Sequence, residues 1–253
     1  MDNLGLDFHD IVVLLPARDE QLTIRESIVR FSESLPEAHI VVIDNNSNDS
    51  TAVFAQQTID TMGLDARVIS EPKLGKGNAV FAGFRAVDAS VYLMCDSDCT
   101  YPIEDAKKII TPILEGQADL VSGDRLSNGV YRKQNSRRFH SAGNRLLTVL
   151  VNRFFSSSFS DVTSGFKAFS GRFVTSYKRP ASGFDLEVDL AMHAAINAFP
   201  TLDIPISYRH RPEGSFSKLN TLSDGFSTIK KVFTKYAFYR WSKLTGRVFG
   251  RYS

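Results

Sequence analysis

The stretch 91-VYLMCDSDCTYP-102 decides how the chain is read. Val91 to Cys95 form a short apolar run of the kind that makes a buried strand, and it ends directly in Asp96, Ser97 and Asp98. Residues two apart on an extended segment point the same way, so the two carboxylates converge just past the strand. Like charges held that close repel unless a cation lies between them. A divalent metal carrying a polyphosphate is one such cation. Taken alone, the triplet also suits an Asp-rich turn ahead of a helix, since Pro102 fits a first helical turn and Glu104 and Asp105 fit its positive end.

Working outward, the same grammar repeats. The segments 11-IVVLLP-16, 40-IVVID-44, 67-RVIS-70 and 118-ADLVSG-123 read as strands. Helical patterns separate them, from Gln21 to Leu35, from Ser50 as N-cap, and from Asn78 to Val87. Such alternation predicts an α/β domain with a mostly parallel central sheet and helices on both faces. Ligands of these sheets bind beyond the carboxyl ends of the strands. Those ends here read PARDE, DNNSND, SEPKLGKG and DSD, so acidic and small polar residues collect on one rim. Two nucleotide fingerprints fail. PARDE stands where a glycine-rich dinucleotide turn belongs, and 75-GKGN-78 lacks the distal glycine and the Ser or Thr of a P-loop.

The 253 residues allow one large α/β domain, and 43% hydrophobic content with 23% charge is that of a globular chain with a sizeable core. No apolar run approaches the roughly 20 residues of a membrane span, and Asp2, Asp7 and Asp10 argue against a signal peptide. Cys95 and Cys99 imply no disulfide framework and point to a reducing cytoplasm. Residues 124–140 read as a polar, basic loop, followed by a helix from Ser141 to Phe155, one from Asp185 to Ala198, a strand near 202-LDIPISYRH-210 and a last helix from Leu222. The net charge of +2 hides an asymmetry, with seven basic and no acidic residues from Ile229 to Ser253. The expected organisation is one domain over 1–228 and a basic amphipathic tail over 229–253.

The motifs 16-PARDE-20, 42-VIDNNSNDST-51, 75-GKGNAVFAGF-84, 96-DSD-98, 123-GDR-125, 164-SGFKAFS-170, 183-GFDLEVDL-190 and 211-RPEGSFSKL-219, in this order, resemble the family 2 glycosyltransferases of the GT-A fold. The likeness spans about residues 10–235 and is strongest to the branch that moves a sugar from a nucleotide onto a polyprenyl phosphate. It implies that Pro16, Ala17, Glu20 and Asp44 hold the base and ribose, with Ser97, Lys76, Arg211 and Lys218 completing the nucleotide-sugar site. It also implies that Asp96 and Asp98 hold Mg²⁺ or Mn²⁺ against the diphosphate, with Asp98, Arg125 and Glu187 in catalytic roles. A lipid phosphate is already ionised near neutral pH and attacks without a general base, needing cations to bring it close. By the resemblance these are Arg125 and Arg137, with Ser141 beside them. Thr100 stands where relatives often carry Gln, and the 211–218 loop is one residue longer than the short family form.

The implied partners are a UDP- or GDP-sugar, a polyprenyl phosphate and a membrane. If residues 229–253 are helical, Phe233, Ala237, Leu244 and Val248 form a stripe, with Arg240, Lys243, Arg247 and Arg251 down another face and Tyr236, Tyr239 and Trp241 among the aromatics. That pattern suits peripheral binding to the cytoplasmic face of a membrane or to a membrane-embedded partner subunit. Nothing beyond the basic tail points to nucleic acid. Two alternatives stay open: a glycan hydroxyl as acceptor, with Asp185 or Glu187 as base, and a silent sugar-nucleotide-binding subunit.

Overall fold

A computed structural model of the chain describes residues 10–127, 138–178, 181, 183, 185–209, 211–214 and 221–245, with only the backbone described over 138–141 and 221–223. Strand β1 (Ile11–Ala17) shows how residue order builds the layers. Its Ile11, Val13, Leu15 and Ala17 enter one core, Val12 and Leu14 the other, and all six are buried. A strand apolar on both faces needs helices on both sides. Helices α1 (Ile24–Ser34), α2 (Thr51–Met62) and α4 (Ala106–Leu114) cover the first face through Ile28, Phe31, Ala55 and Ile109. Helices α3 (Lys76–Ala86), α5 (Arg138–Phe155) and α7 (Leu186–Ile196) cover the second through Val80, Phe84, Val151 and Leu190.

The sheet has seven strands in the order β3 (Ala66–Ser70), β2 (His39–Asp44), β1, β4 (Val91–Met94), β6 (Lys167–Ser170), β5 (Leu120–Asp124), β7 (Thr201–Pro205). All pairings are parallel except those of β6, which runs antiparallel between β4 and β5. The expected α/β class holds. Strand β6 and the short α6 (Gly171–Ser176) are additions that periodicity misses, because Lys-Ala-Phe-Ser hides a lysine with no exposed surface. One cap differs too: Ser50 makes no capping bond, and Asp49 accepts from the Thr51 amide at 2.9 Å instead.

The last helix, α8 (Thr221–Thr245), is continuous across the 228/229 boundary drawn on composition. Thr228 and Val232 are both buried on the same domain. Tyr236 stacks on Phe154 at 4.5 Å and Tyr239 meets Phe155 at 5.7 Å. These two tyrosines, expected at a headgroup interface, therefore spend their rings on α5.

Beneath α8 lies His193, boxed by Phe173, Tyr177 and Phe199 and hydrogen-bonded to Ser176 at 2.7 Å. Burial, then the nearby Lys235, lowers its pKa to about 4 from 6.5. The unfolded chain takes up this proton first, so the contribution is whole above pH 6.5 and is lost as pH falls towards 4. Between pH 6.5 and 5 the loss should reach about 2 kcal/mol. Chemical denaturation of His193→Phe is expected to show a flatter pH dependence over that window.

Candidate active site

Three loops meet at the carboxyl rim, and register explains why. Pro16 lies opposite Ile43 and Ala17 opposite Asp44. Met94 pairs with Leu14, and the Cys95 amide continues the ladder onto Leu14 O at 3.1 Å. Asp96 to Asp98 thus follow directly beside PARDE. The Ser97 hydroxyl donates to Pro16 O at 2.9 Å, and Ser27 Oγ donates to Ser97 O at 3.0 Å. After each of β1, β2 and β4 one non-glycine residue adopts left-handed backbone: Asp19 (φ 51), Asn46 (φ 57) and Cys99 (φ 59). Strain of this kind persists where surrounding structure holds it and gathers at functional rims.

On the side expected to hold base and ribose, Pro16 and Ala17 end β1, and Asp44 carries a buried Oδ1 with no hydrogen-bond partner among the described residues. Buried acceptors are normally satisfied, and a donor from outside the described residues would complete this one. Its neighbour Asn45, read from sequence only as part of a turn, fastens the next loop. Its amide donates to Glu71 O (3.0 Å) and Lys73 O (2.7 Å), and its carbonyl accepts from Gly75 N at 2.8 Å. That tether sets the start of α3, where Gly75 takes φ 125 and delivers Lys76 into the site.

On the diphosphate side the charges interlock. Lys76 Nζ pairs with both Asp96 and Glu187. Burial disfavours its charge, yet Asp96 and Glu187 together raise its pKa well above the ordinary value. Arg211 reaches Asp98 at 2.5 Å and Glu20 at 3.3 Å. Asp98 Oδ1 accepts from Thr100 N (3.1 Å) and Thr100 Oγ1 (2.6 Å). So the threonine found in place of glutamine orients Asp98. Burial, and then Asp96 beside it, push the Asp98 carboxyl above its usual range, while Arg211 and Thr100 oppose them. Among the described residues, the carboxylates of Glu20, Asp96, Asp98 and Glu187 gather here around Lys76 and Arg211. Hard oxygen donors of this kind fit a divalent cation such as Mg²⁺ or Mn²⁺. No group of three His, Cys, Asp or Glu able to hold a metal gathers among the described residues. Asp96 and Asp98 would hold such an ion jointly with the oxygens of a diphosphate.

Arg125, for which the resemblance implies a catalytic and acceptor-phosphate role, follows the end of β5. It is buried, its guanidinium doubly bonded to Asp161 (2.8 and 3.2 Å), with further bonds to Thr163 (2.9 Å) and Tyr101 (3.2 Å). Arg137 and Lys218 lie outside the described residues, as does the side chain of Ser141 at the start of α5. The acidic run on α7 divides by face. Glu187 enters the site, whereas Asp185 pairs with Lys231 and Asp189 with Lys235 of α8.

These features are those expected of a nucleotide-sugar transferase, and the comparisons identify the class. The glycosyl transferase family 2 model matches residues 12–175, and the chain belongs to that family. Glycosyltransferase AglJ of Haloferax volcanii is 30% identical over 216 residues, covering 85% of this chain and 68% of AglJ. A dolichyl-phosphate hexose transferase of the same organism is 27% identical over 225 residues, 89% of this chain and 93% of that one. Glucosyl-3-phosphoglycerate synthase from Mycobacterium tuberculosis, crystallised with Mn²⁺, UDP and phosphoglyceric acid, aligns at TM-score 0.67 and 20% identity over 90% of this chain and 78% of that chain. That likeness establishes the GT-A fold.

Proposed function

We propose that this glycosyltransferase moves a sugar, with inversion, from a UDP- or GDP-sugar to a polyprenyl phosphate, with Mg²⁺ or Mn²⁺ held at Asp96 and Asp98. The observation that carries it is the interlocked rim of Asp96, Asp98, Lys76, Glu187 and Arg211, together with an Asp44 oxygen that has no partner among the described residues. A bound divalent ion would neutralise the leaving nucleoside diphosphate. Asp44, Pro16, Ala17 and Glu20 receive the nucleoside, and Ser97 fixes the Asp96–Asp98 turn against β1. Lys76, Arg211 and Lys218 supply positive charge to the diphosphate, and Arg137 and Ser141 attend the acceptor phosphate. An ionised phosphate needs no base. A hydroxyl acceptor does, and its candidates, Glu187 and Asp185, are already paired with Lys76 and Lys231. The lipid-phosphate reading is favoured on that ground and by the name of the dolichyl-phosphate relative.

The test is transfer of radiolabel from a panel of UDP- and GDP-sugars to short-chain polyprenyl phosphates, extracted into organic solvent, with Mn²⁺ or Mg²⁺ and with chelator. Lipid-borne label that disappears with chelator supports the reading. Donor hydrolysis without lipid label shifts the acceptor to a glycan, and donor binding without either signal makes the chain a silent subunit.

A polyprenyl acceptor requires contact with a bilayer, and no helix of the described residues is long and apolar enough to cross one. The outer face of α8 offers a peripheral contact. Phe226 (74% exposed), Phe233 (50%), Trp241 (44%) and Leu244 (80%) stand beside exposed Lys230, Arg240 and Lys243. Vesicles containing anionic lipid should bind the protein and release it as salt rises. Trp241→Ser with Leu244→Ser is expected to weaken that binding about tenfold or more, since each side chain buries on the order of 2 kcal/mol of apolar surface. Binding unaffected by both changes would leave a membrane-embedded partner subunit as the occupant of this face.

A further inference from the structure

A buried polar network ties the motif 123-GDR-125 to 164-SGFKAFS-170. Arg125, at the end of β5, is buried with the fully buried Asp161, which also accepts from Thr163 N (3.0 Å) and Thr163 Oγ1 (2.8 Å). Arg125 Nη1 donates to Tyr101 Oη at 3.2 Å, and the same oxygen accepts from Gly165 N at 2.7 Å. From below, Lys167 donates to Ser122 Oγ (2.7 Å), and Ser122 Oγ donates to Asp161 O (3.2 Å). The segment 161–165 is thus held at both ends, one hydrogen bond at a time, by buried groups. What it presents to the rim is the bare Cα of Gly165. A Cβ built there would lie 2.8 Å from Asp96 Cγ and 2.9 Å from its Oδ1, closer than real carbon contacts allow. The Asp96 carboxylate rests directly on that glycine.

We infer that Gly165, fixed by Tyr101, Arg125 and Asp161, is a positioning residue that sets the carboxylate of Asp96 for the divalent cation of the donor site. The inference rests on the metal reading given above. It gives Arg125 a positioning role, because its guanidinium bonds to Asp161, Thr163 and Tyr101 brace this framework. It also explains why the glycine of 164-SGFKAFS-170 must be one: the requirement is space for a neighbouring carboxylate, since Gly165 needs no left-handed backbone. Partners standing behind a metal ligand typically change metal affinity by about 10–100-fold when altered.

The experiment measures Mn²⁺ binding to the full chain by the paramagnetic resonance of free Mn²⁺, alongside UDP binding by calorimetry in chelator and a thermal melt. Gly165→Ala places a methyl in the carboxylate, and Tyr101→Phe removes only the oxygen that holds the Gly165 amide. Both are expected to weaken Mn²⁺ binding about tenfold or more with metal-free UDP affinity unchanged. If Gly165→Ala does not fold, Tyr101→Phe decides alone. Wild-type Mn²⁺ affinity in the folded variants overturns the positioning role and leaves the metal reading standing. A parallel loss of UDP affinity overturns it as well, since the effect would then belong to the whole pocket. Failure of the unaltered protein to bind Mn²⁺ overturns both.

Discussion

Asp98→Asn is expected to lower sugar transfer about a thousandfold while the protein still folds. The substitution keeps the side chain's shape and removes its charge. Asp98 holds Thr100 on one oxygen and Arg211 on the other, so an amide still fits the Thr100 bonds but loses the ion pair. In the fold, the lost Arg211 contact is offset by relief of what raises the Asp98 carboxyl, namely burial and the Asp96 charge. Stability should therefore move by only about 1 kcal/mol, within the range of an ordinary substitution. Catalysis has no such offset. Neutralising the leaving diphosphate through a metal is worth several kcal/mol, and about 4 kcal/mol is a factor of a thousand. The check is single-turnover transfer at saturating donor, together with a denaturation curve. Full activity in Asp98→Asn would remove this residue from the metal site.

How much of this was legible beforehand depends on whether neighbours in space were neighbours in sequence. Asp96 and Asp98 were readable because the strand that ends in them is apolar and the two are one residue apart. Asp44 and PARDE were readable because parallel strands put every carboxyl end on the same rim. By contrast, the Asn45 tether reaches Gly75 across 30 residues, and the Arg125–Asp161 pair spans 36. No local pattern announces either. Strand β6 was hidden for a related reason: its lysine is buried by Ser122, a contact 45 residues away, and a buried lysine reads locally as surface. The tail shows the opposite case. Its composition announced an interfacial helix, but composition does not say which face the domain already uses, and Tyr236, Tyr239, Lys231 and Lys235 turn inward.

Helix α7 shows why that inward turn matters. Asp185 and Asp189 are four residues apart and share one helical face, which α8 covers with Lys231 and Lys235, while Glu187 points away to Lys76. One short acidic helix is thereby ion-paired to the helix proposed for the membrane on one side and to the proposed donor site on the other.

Lys76→Met carries the largest expected cost to stability. The ammonium is buried between Asp96 and Glu187, and both carboxylates depend on it. Replacing a buried pair entirely by apolar groups is often neutral, but removing one partner strands the other charge and costs about 3–5 kcal/mol. For a chain of this size that corresponds to a fall in melting temperature of roughly 10 °C. Adding Glu187→Leu to Lys76→Met removes one of the two stranded carboxylates and should recover part of the loss, giving a favourable coupling of about 1–3 kcal/mol in the double-mutant cycle. Glu187→Leu alone leaves Lys76 still paired with Asp96, so it should cost less than Lys76→Met. The order expected in melting temperature is wild type, Glu187→Leu, the double variant, then Lys76→Met. If Lys76→Met melts with the wild type, the ammonium is not what holds these carboxylates in place, and its contribution is confined to the donor's diphosphate.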